Sequence, residues 1–141
     1  ANIIKDKLNC DILEIIPKVP YSKDYQTVVD EEQRKEGSEH LREYQDINVN
    51  LDDYDTIIIG TPVWWYRETP VIRTFLKEND LSNKRVIPFA TNAGWLGKTL
   101  IEIKKMCPNP KVENEKNIVF ESYSDELVTP LSEIEEWIKT I

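Results

Sequence analysis

The run Asp55-Thr56-Ile57-Ile58-Ile59-Gly60 constrains this chain more than any other segment. Its apolar residues are continuous rather than alternating, and such a strand is stable only where both faces are covered, as in a parallel sheet with helices on either side. The segments that follow meet that demand. Thr69 and Pro70 supply an N-cap and a first-turn proline for a helix whose apolar stripe is Val71, Ile72, Phe75 and Leu76. Arg85 to Thr91 reads as the next strand, and Pro88 inside it, lacking an N–H, predicts an edge position or a bulge. Gly97 precedes a helix carrying Leu100, Ile101 and Met106, which stops near Cys107 and Pro108. Lys116 to Phe120 makes a last strand, and Pro130 opens a terminal helix with Leu131, Ile134, Ile138 and Ile141 on one side. This alternation predicts an α/β fold with a mostly parallel sheet and right-handed crossovers.

Ahead of the apolar run the pattern is weaker. Cys10 to Ile16 is rich in β-branched residues and stopped by Pro17, which reads as a strand. Asp24 to Glu36 reads as a helix anchored by Tyr25, Val28 and Val29, followed by a loop entered at Gly37. The charges between Asp24 and Asp46 read as a solvated face, with Leu41 and Tyr44 alone available to a core beyond Val29. Ala1 opens on Ile3, Ile4 and Leu8, spaced like the last turns of an amphipathic helix.

Charge and residue counts exclude several functions. Eighteen Lys plus Arg against 26 Asp plus Glu leave a net charge of −8, which disfavours a sequence-independent nucleic-acid binder and calls for a basic surface on any partner. Cys10 and Cys107 form no CxxC and His40 is the sole histidine, so neither a disulfide framework, a His/Cys metal site nor a Ser/His/Asp or Cys/His catalytic set can be assembled. The four glycines make no GxGxxG and no GxxxxGK. No apolar stretch approaches the roughly 20 residues of a membrane span, so a single-domain, reduced, cytoplasmic protein is expected from these 141 residues.

In an open α/β sheet, ligands bind beyond the carboxyl ends of the strands. Two segments lie there. Thr61-Pro62-Val63-Trp64-Trp65-Tyr66-Arg67 carries three consecutive aromatics on which a flat ligand could stack, although rings also cap strand ends without binding anything. Thr91-Asn92-Ala93-Gly94-Trp95-Leu96-Gly97 is polar and glycine-containing, suited to backbone donors aimed at a heterocycle, or to an ordinary strand-to-helix turn.

With Val86-Ile87-Pro88-Phe89-Ala90-Thr91 and Ile103-Lys104-Lys105-Met106-Cys107-Pro108, these two segments are similar to the flavodoxin family, and to its bacterial branch with paired tryptophans after the third strand. The resemblance implies a three-layer α/β/α sandwich that holds FMN without a covalent bond and passes single electrons. It implies that Thr61, Pro62, Val63, Trp64 and Trp65 cover one face of the isoalloxazine, with the indole of Trp64 or Trp65 stacked on it. Thr91, Asn92, Ala93 and Gly94 would then hold the pyrimidine edge. A cation-poor site in an acidic molecule disfavours the anionic hydroquinone, which lowers the potential and suits a basic-faced redox partner. The family's first strand and its Ser/Thr- and Gly-rich phosphate loop have no counterpart here, so the chain is expected to start within the first helix and to bind FMN weakly. A sheet of order 2-1-3-4-5 without its first strand leaves a vacant lane between Cys10–Ile16 and Thr56–Gly60, and self-association through that lane is expected. A cofactor-free interaction domain, and a flavin-dependent quinone or nitro-compound reductase, are the competing readings.

Overall fold

The computed structural model describes residues 1–33 and 40–141. Its sheet is built on two long strands, β1 (Thr56–Trp64) and β3 (Arg85–Asn92), paired in parallel from Thr56↔Arg85 to Pro62↔Thr91. The short β2 (Arg67–Glu68) folds back antiparallel on the end of β1, while β4 (Lys111–Val112) and β5 (Lys116–Val119) both pair in parallel with the other edge of β3. Helices α3 (Pro70–Glu78) and α4 (Thr99–Met106) cover one face; α1 (Asn2–Leu8) and α5 (Leu131–Lys139) cover the other. This is the three-layer α/β/α sandwich expected from the continuous apolar run. Both faces of the central strands are dry: Val86 packs with Phe75, Leu76, Ile103 and Cys107, while Ile87 packs with Ile4, Ile118, Ile134 and Trp137.

Local chemistry explains most of the elements. Thr69 and Pro70 start α3 as expected, and Val71, Ile72, Phe75 and Leu76 are all buried. Gly60 is required for packing rather than turning, since a Cβ there would lie 2.2 Å from the ring of Phe89. On α4 the expected stripe is displaced: Ile101 is exposed, and the buried positions are Thr99, Ile103 and the following Cys107. On α5, Leu131 is exposed and Trp137 fills the core, its indole N–H donating to the Asn114 carbonyl at 2.8 Å.

Pro88 occupies a central strand rather than an edge. The Arg85 amide donates to the Asp55 carbonyl, so alternation turns the nitrogen of residue 88 away from β1. On that side β4 pairs with residues 85 and 86 and β5 with residues 89 to 92, and neither reaches Ile87 or Pro88. The missing N–H therefore falls opposite the break between β4 and β5, where Asn114 takes a left-handed conformation (φ 60°), and no ladder bond is lost.

The largest departures lie ahead of β1. Residues 10–16 form no strand; the nearest bridge pairs Pro17 with Tyr44. The second helix, α2, runs Tyr25–Gln33, its first turn secured by the Asp24 carboxylate, which accepts from the Thr27 amide and hydroxyl at 2.7 Å. Tyr25 is exposed, so of the three expected apolar anchors only Val28 and Val29 are half-buried, and the expected end at Glu36 and loop at Gly37 lie outside the described residues. Leu41 is also exposed, whereas Tyr44 packs against Phe75. The charged stretch is not wholly solvated either: Glu32 is buried and accepts from Arg42 at 3.0 Å and pairs with His40 at 2.8 Å.

Among the described residues the outer edge of β1 has no strand partner along Thr56, Ile58 and Gly60, whose amides and carbonyls point away from β3. Residues 11–15 are tied to the start of β1 by Tyr54 Oη, which donates to Asp11 at 2.7 Å, and among the described residues their backbone makes no backbone hydrogen bond. Ile12 and Leu13 are exposed there. Such an edge predicts concentration-dependent self-association of the 141-residue chain, seen by light scattering as a rising average mass; a constant monomer mass would refute it.

Candidate functional site

The two segments expected to face a ligand end the two central strands. β1 continues through Trp64, so Thr61 to Trp64 belong to the strand and not to a loop. Thr61 is buried; its hydroxyl donates to the Pro62 carbonyl at 2.8 Å and accepts from the Thr69 amide at 3.2 Å, which fixes the strand end to the start of α3. Pro62 is exposed, and Val63, Trp64 and Trp65 are half-buried. The reversal into β2 is a two-residue turn at Trp65 and Tyr66, with φ of 47° and 66°. Turns of this kind normally take Asn-Gly, and each bulky residue held in the left-handed region costs about 1–2 kcal/mol.

Several contacts hold that strained turn. The Tyr66 carbonyl accepts from the Lys98 amide at 2.7 Å, and Gly97, itself at φ 56°, lies so close that a Cβ would meet the Tyr66 Cβ at 2.3 Å and its carbonyl oxygen at 2.5 Å. Glu68, on β2, is buried against Arg73 of α3 at 2.6 Å. The indoles of Trp64 and Trp65 meet edge to face, 6.1 Å apart at 88°, and Trp64 also meets the Tyr21 ring at 4.7 Å and 67°. The structure thus brings the aromatic turn and the Gly94–Gly97 loop together through Tyr66, Gly97 and Lys98.

At the second segment, Thr91 and Asn92 are half-buried while Ala93, Gly94 and Trp95 are exposed. The Asn92 side chain accepts from the Gly94 amide at 2.8 Å and donates to Asn117 at 2.6 Å. One of the backbone donors expected to point at a heterocycle is therefore engaged within the loop. Gly94 has φ 98° and open space where a Cβ would stand, so its surface is free for an approaching group.

A cavity of about 600 Å³ opens beside this loop, lined by Thr91, Asn92, Ala93, Phe120, Glu121, Tyr123, Ser124 and Asp125. The Thr61 to Trp65 segment does not line it. The segment after β5 was missed in the sequence because it carries no aromatic pair or glycine signal, although it too follows a strand's carboxyl end and could have been flagged by position. It is a small hairpin closed by the Phe120↔Leu127 bridge, with Tyr123 fully exposed at φ 62°.

Burial pushes the Tyr21 phenol up to about 12 against the opposing pull of Arg42, and it pushes the Cys107 thiol up as well, so both stay protonated at neutral pH. Among the described residues no group of His, Cys, Asp and Glu could hold a metal ion, and no helix is long and apolar enough to cross a membrane.

The family model described as Flavodoxin matches residues 1–141. Among solved structures, a Bacteroides uniformis protein classed as a flavoprotein is 23% identical, with a TM-score of 0.75 over 98% of this chain and 86% of its own. A Bacteroides eggerthii protein of the same class is 23% identical, with a TM-score of 0.74 over 98% of this chain and 85% of its own. A Lactobacillus acidophilus flavoprotein in complex with FMN is 21% identical, with a TM-score of 0.64 over 96% and 89%. These identities support likeness of fold. No curated protein matches the chain.

Gly97→Ala tests the join between the two loops. Its Cβ has no room against the Tyr66 backbone and its φ is wrong for alanine, so the variant is expected to lose about 2–3 kcal/mol in urea unfolding and to alter tryptophan emission. Gly94→Ala, which is strained but unobstructed, is expected to lose about half as much.

Proposed function

The chain belongs to the flavodoxin family, and from that premise we propose that it binds FMN at the carboxyl ends of β1 and β3 and carries single electrons. The observation that carries this reading is the pair of half-buried indoles at the end of β1, locked through Tyr66 to the glycine loop that follows β3. A planar heteroaromatic ring suits such a place, because it can stack on an indole while its polar edge meets the exposed end of the segment from Thr91 to Gly94. Trp64 or Trp65 would take the stacking role. The flavin, when bound, supplies the one-electron chemistry; the protein supplies the platform, the polar edge and an acidic surround. With a net charge of −8, the chain suits a redox partner with a basic face, attracted at rates that fall with added salt.

The phosphate end fits less well. The 141 residues hold no Ser/Thr- and Gly-rich loop of the kind that cradles a phosphate at a helix start, and the Gly94 amide is already occupied. A second reading is a cofactor-free interaction domain. The two differ in the visible spectrum of the purified protein, since bound FMN absorbs blue light.

FMN titration followed by tryptophan emission tests the site itself. Stacking contributes on the order of 1 kcal/mol beyond burial, so the Trp64→Ala, Trp65→Ala double variant is expected to bind about fivefold more weakly and to lose most of the quenching. Unchanged binding and quenching would remove the platform role. Riboflavin is expected to bind the 141-residue chain nearly as well as FMN. A large preference for FMN would reveal a phosphate anchor elsewhere in these residues. Steady-state oxidation of NADPH by a quinone would instead indicate a reductase.

A further inference from the structure

The aromatic pair at the end of β1 is supported from behind by residues far away in the sequence. Tyr21 meets the Trp64 indole edge-on at 4.7 Å, and the guanidinium of Arg42 lies over the Tyr21 ring at 4.0 Å. Arg42 is fixed in turn: it donates to the Glu32 carboxylate at 3.0 Å and to the carbonyls of Val19 at 2.7 Å and Pro20 at 3.3 Å. Glu32 has only 2% of its side chain exposed and also pairs with His40 at 2.8 Å. Three separate stretches of chain, residues 19–21, Glu32 and residues 40–42, therefore converge on one indole.

The structure assigns to Tyr21 and Arg42 the task of positioning Trp64 for a stacked ring, an inference that rests on the ligand reading above. Their chemistry fits this task better than simple core filling. A cation over a ring face and a ring edge against an indole both have defined geometry, unlike aliphatic packing. Among the described residues the buried Tyr21 hydroxyl has no hydrogen-bond partner, so the contacts that link Tyr21 to Trp64 and Arg42 are those of its ring. Arg42 is held at three points before it touches Tyr21, which removes rotamer freedom that ligand binding would otherwise have to freeze. Neither residue lies in the strand-end segments, and neither can be identified from them.

The test has a ligand-free arm and a ligand arm. Without ligand, the edge-to-face Trp64 and Trp65 indoles are expected to give a near-ultraviolet circular dichroism signal that disappears in Trp64→Phe. Tyr21→Leu and Arg42→Met are expected to reduce that signal by at least half while leaving far-ultraviolet spectra intact. Tyr21→Phe is expected to keep it, since the ring edge remains. Should Tyr21→Leu fail to fold, Arg42→Met carries the comparison with Tyr21→Phe. In the ligand arm, riboflavin affinity is expected to fall about three- to tenfold in Tyr21→Leu and Arg42→Met and to stay within twofold of the parent in Tyr21→Phe. An unchanged dichroism signal in both disruptive variants would overturn the positioning role. A lost signal with unchanged riboflavin affinity would overturn its connection to the ligand. If the parent binds no flavin at all, the ligand reading falls with that connection, and the dichroism arm still decides whether Tyr21 and Arg42 hold the indole.

Discussion

The parallel ladder between β1 and β3 is the constraint on which the rest of the molecule depends. Its register, from Thr56↔Arg85 to Pro62↔Thr91, sets the two strands to finish at the same level. The aromatic turn leaves one strand and the glycine loop leaves the other, and a slip by one residue would turn each core face to the wrong layer. Val86, Ile87 and Ala90 have no exposed surface, so the ladder is protected on both sides by helices that could not find it elsewhere. The strained conformations of Trp65 and Tyr66 survive because this framework, with the Lys98 amide and Gly97 on one side and Glu68–Arg73 on the other, determines the turn from more than one direction.

Buried charge does the corresponding work for the first third of the chain. Arg73, at the centre of α3, joins Glu68 of β2 and also donates to the His40 carbonyl at 2.9 Å. Glu32 gathers His40 and Arg42. Ion pairs out of water contribute little net stability against an apolar substitute, but breaking one partner leaves a buried charge and costs about 3–5 kcal/mol. Such pairs therefore specify where α2 and the following segment dock, in a region with few apolar residues to decide it.

The reach of the sequence follows the same division. Where covering a strand on both faces was the dominant demand, the pattern in the residues was sufficient: the Ile57 to Ile59 run, the Thr69-Pro70 helix start and the Phe75, Leu76 face all stand as expected. Where long-range partners decide, it was not. Cys10 to Ile16 has the composition of a strand, but a strand needs a ladder, and among the described residues only its ends, Cys10 and Ile16, make backbone hydrogen bonds. Tyr25 had helical spacing without a surface to meet, while Glu32 looked like one more solvated acid until its two partners were in view. For the candidate site, the position of the aromatic pair and of the glycine loop at the ends of the apolar strands was legible. Their bracing by Tyr21 and the cavity floor from Phe120 to Asp125 were not, because both depend on contacts across the fold.

The interruption opposite Pro88 bears on how this architecture can change. β4 and β5 each take their register from a different stretch of β3, and neither depends on the number of residues between them. Residues 113 and 114 between them are nonetheless anchored, the Glu113 amide donating to the Val86 carbonyl at 3.1 Å and the Asn114 carbonyl taking the Trp137 indole N–H at 2.8 Å. Growth of this link is therefore confined to its far end, after Asn114, and the proline, which offers no donor at this level, is what lets the edge of the sheet pass from one short strand to the next.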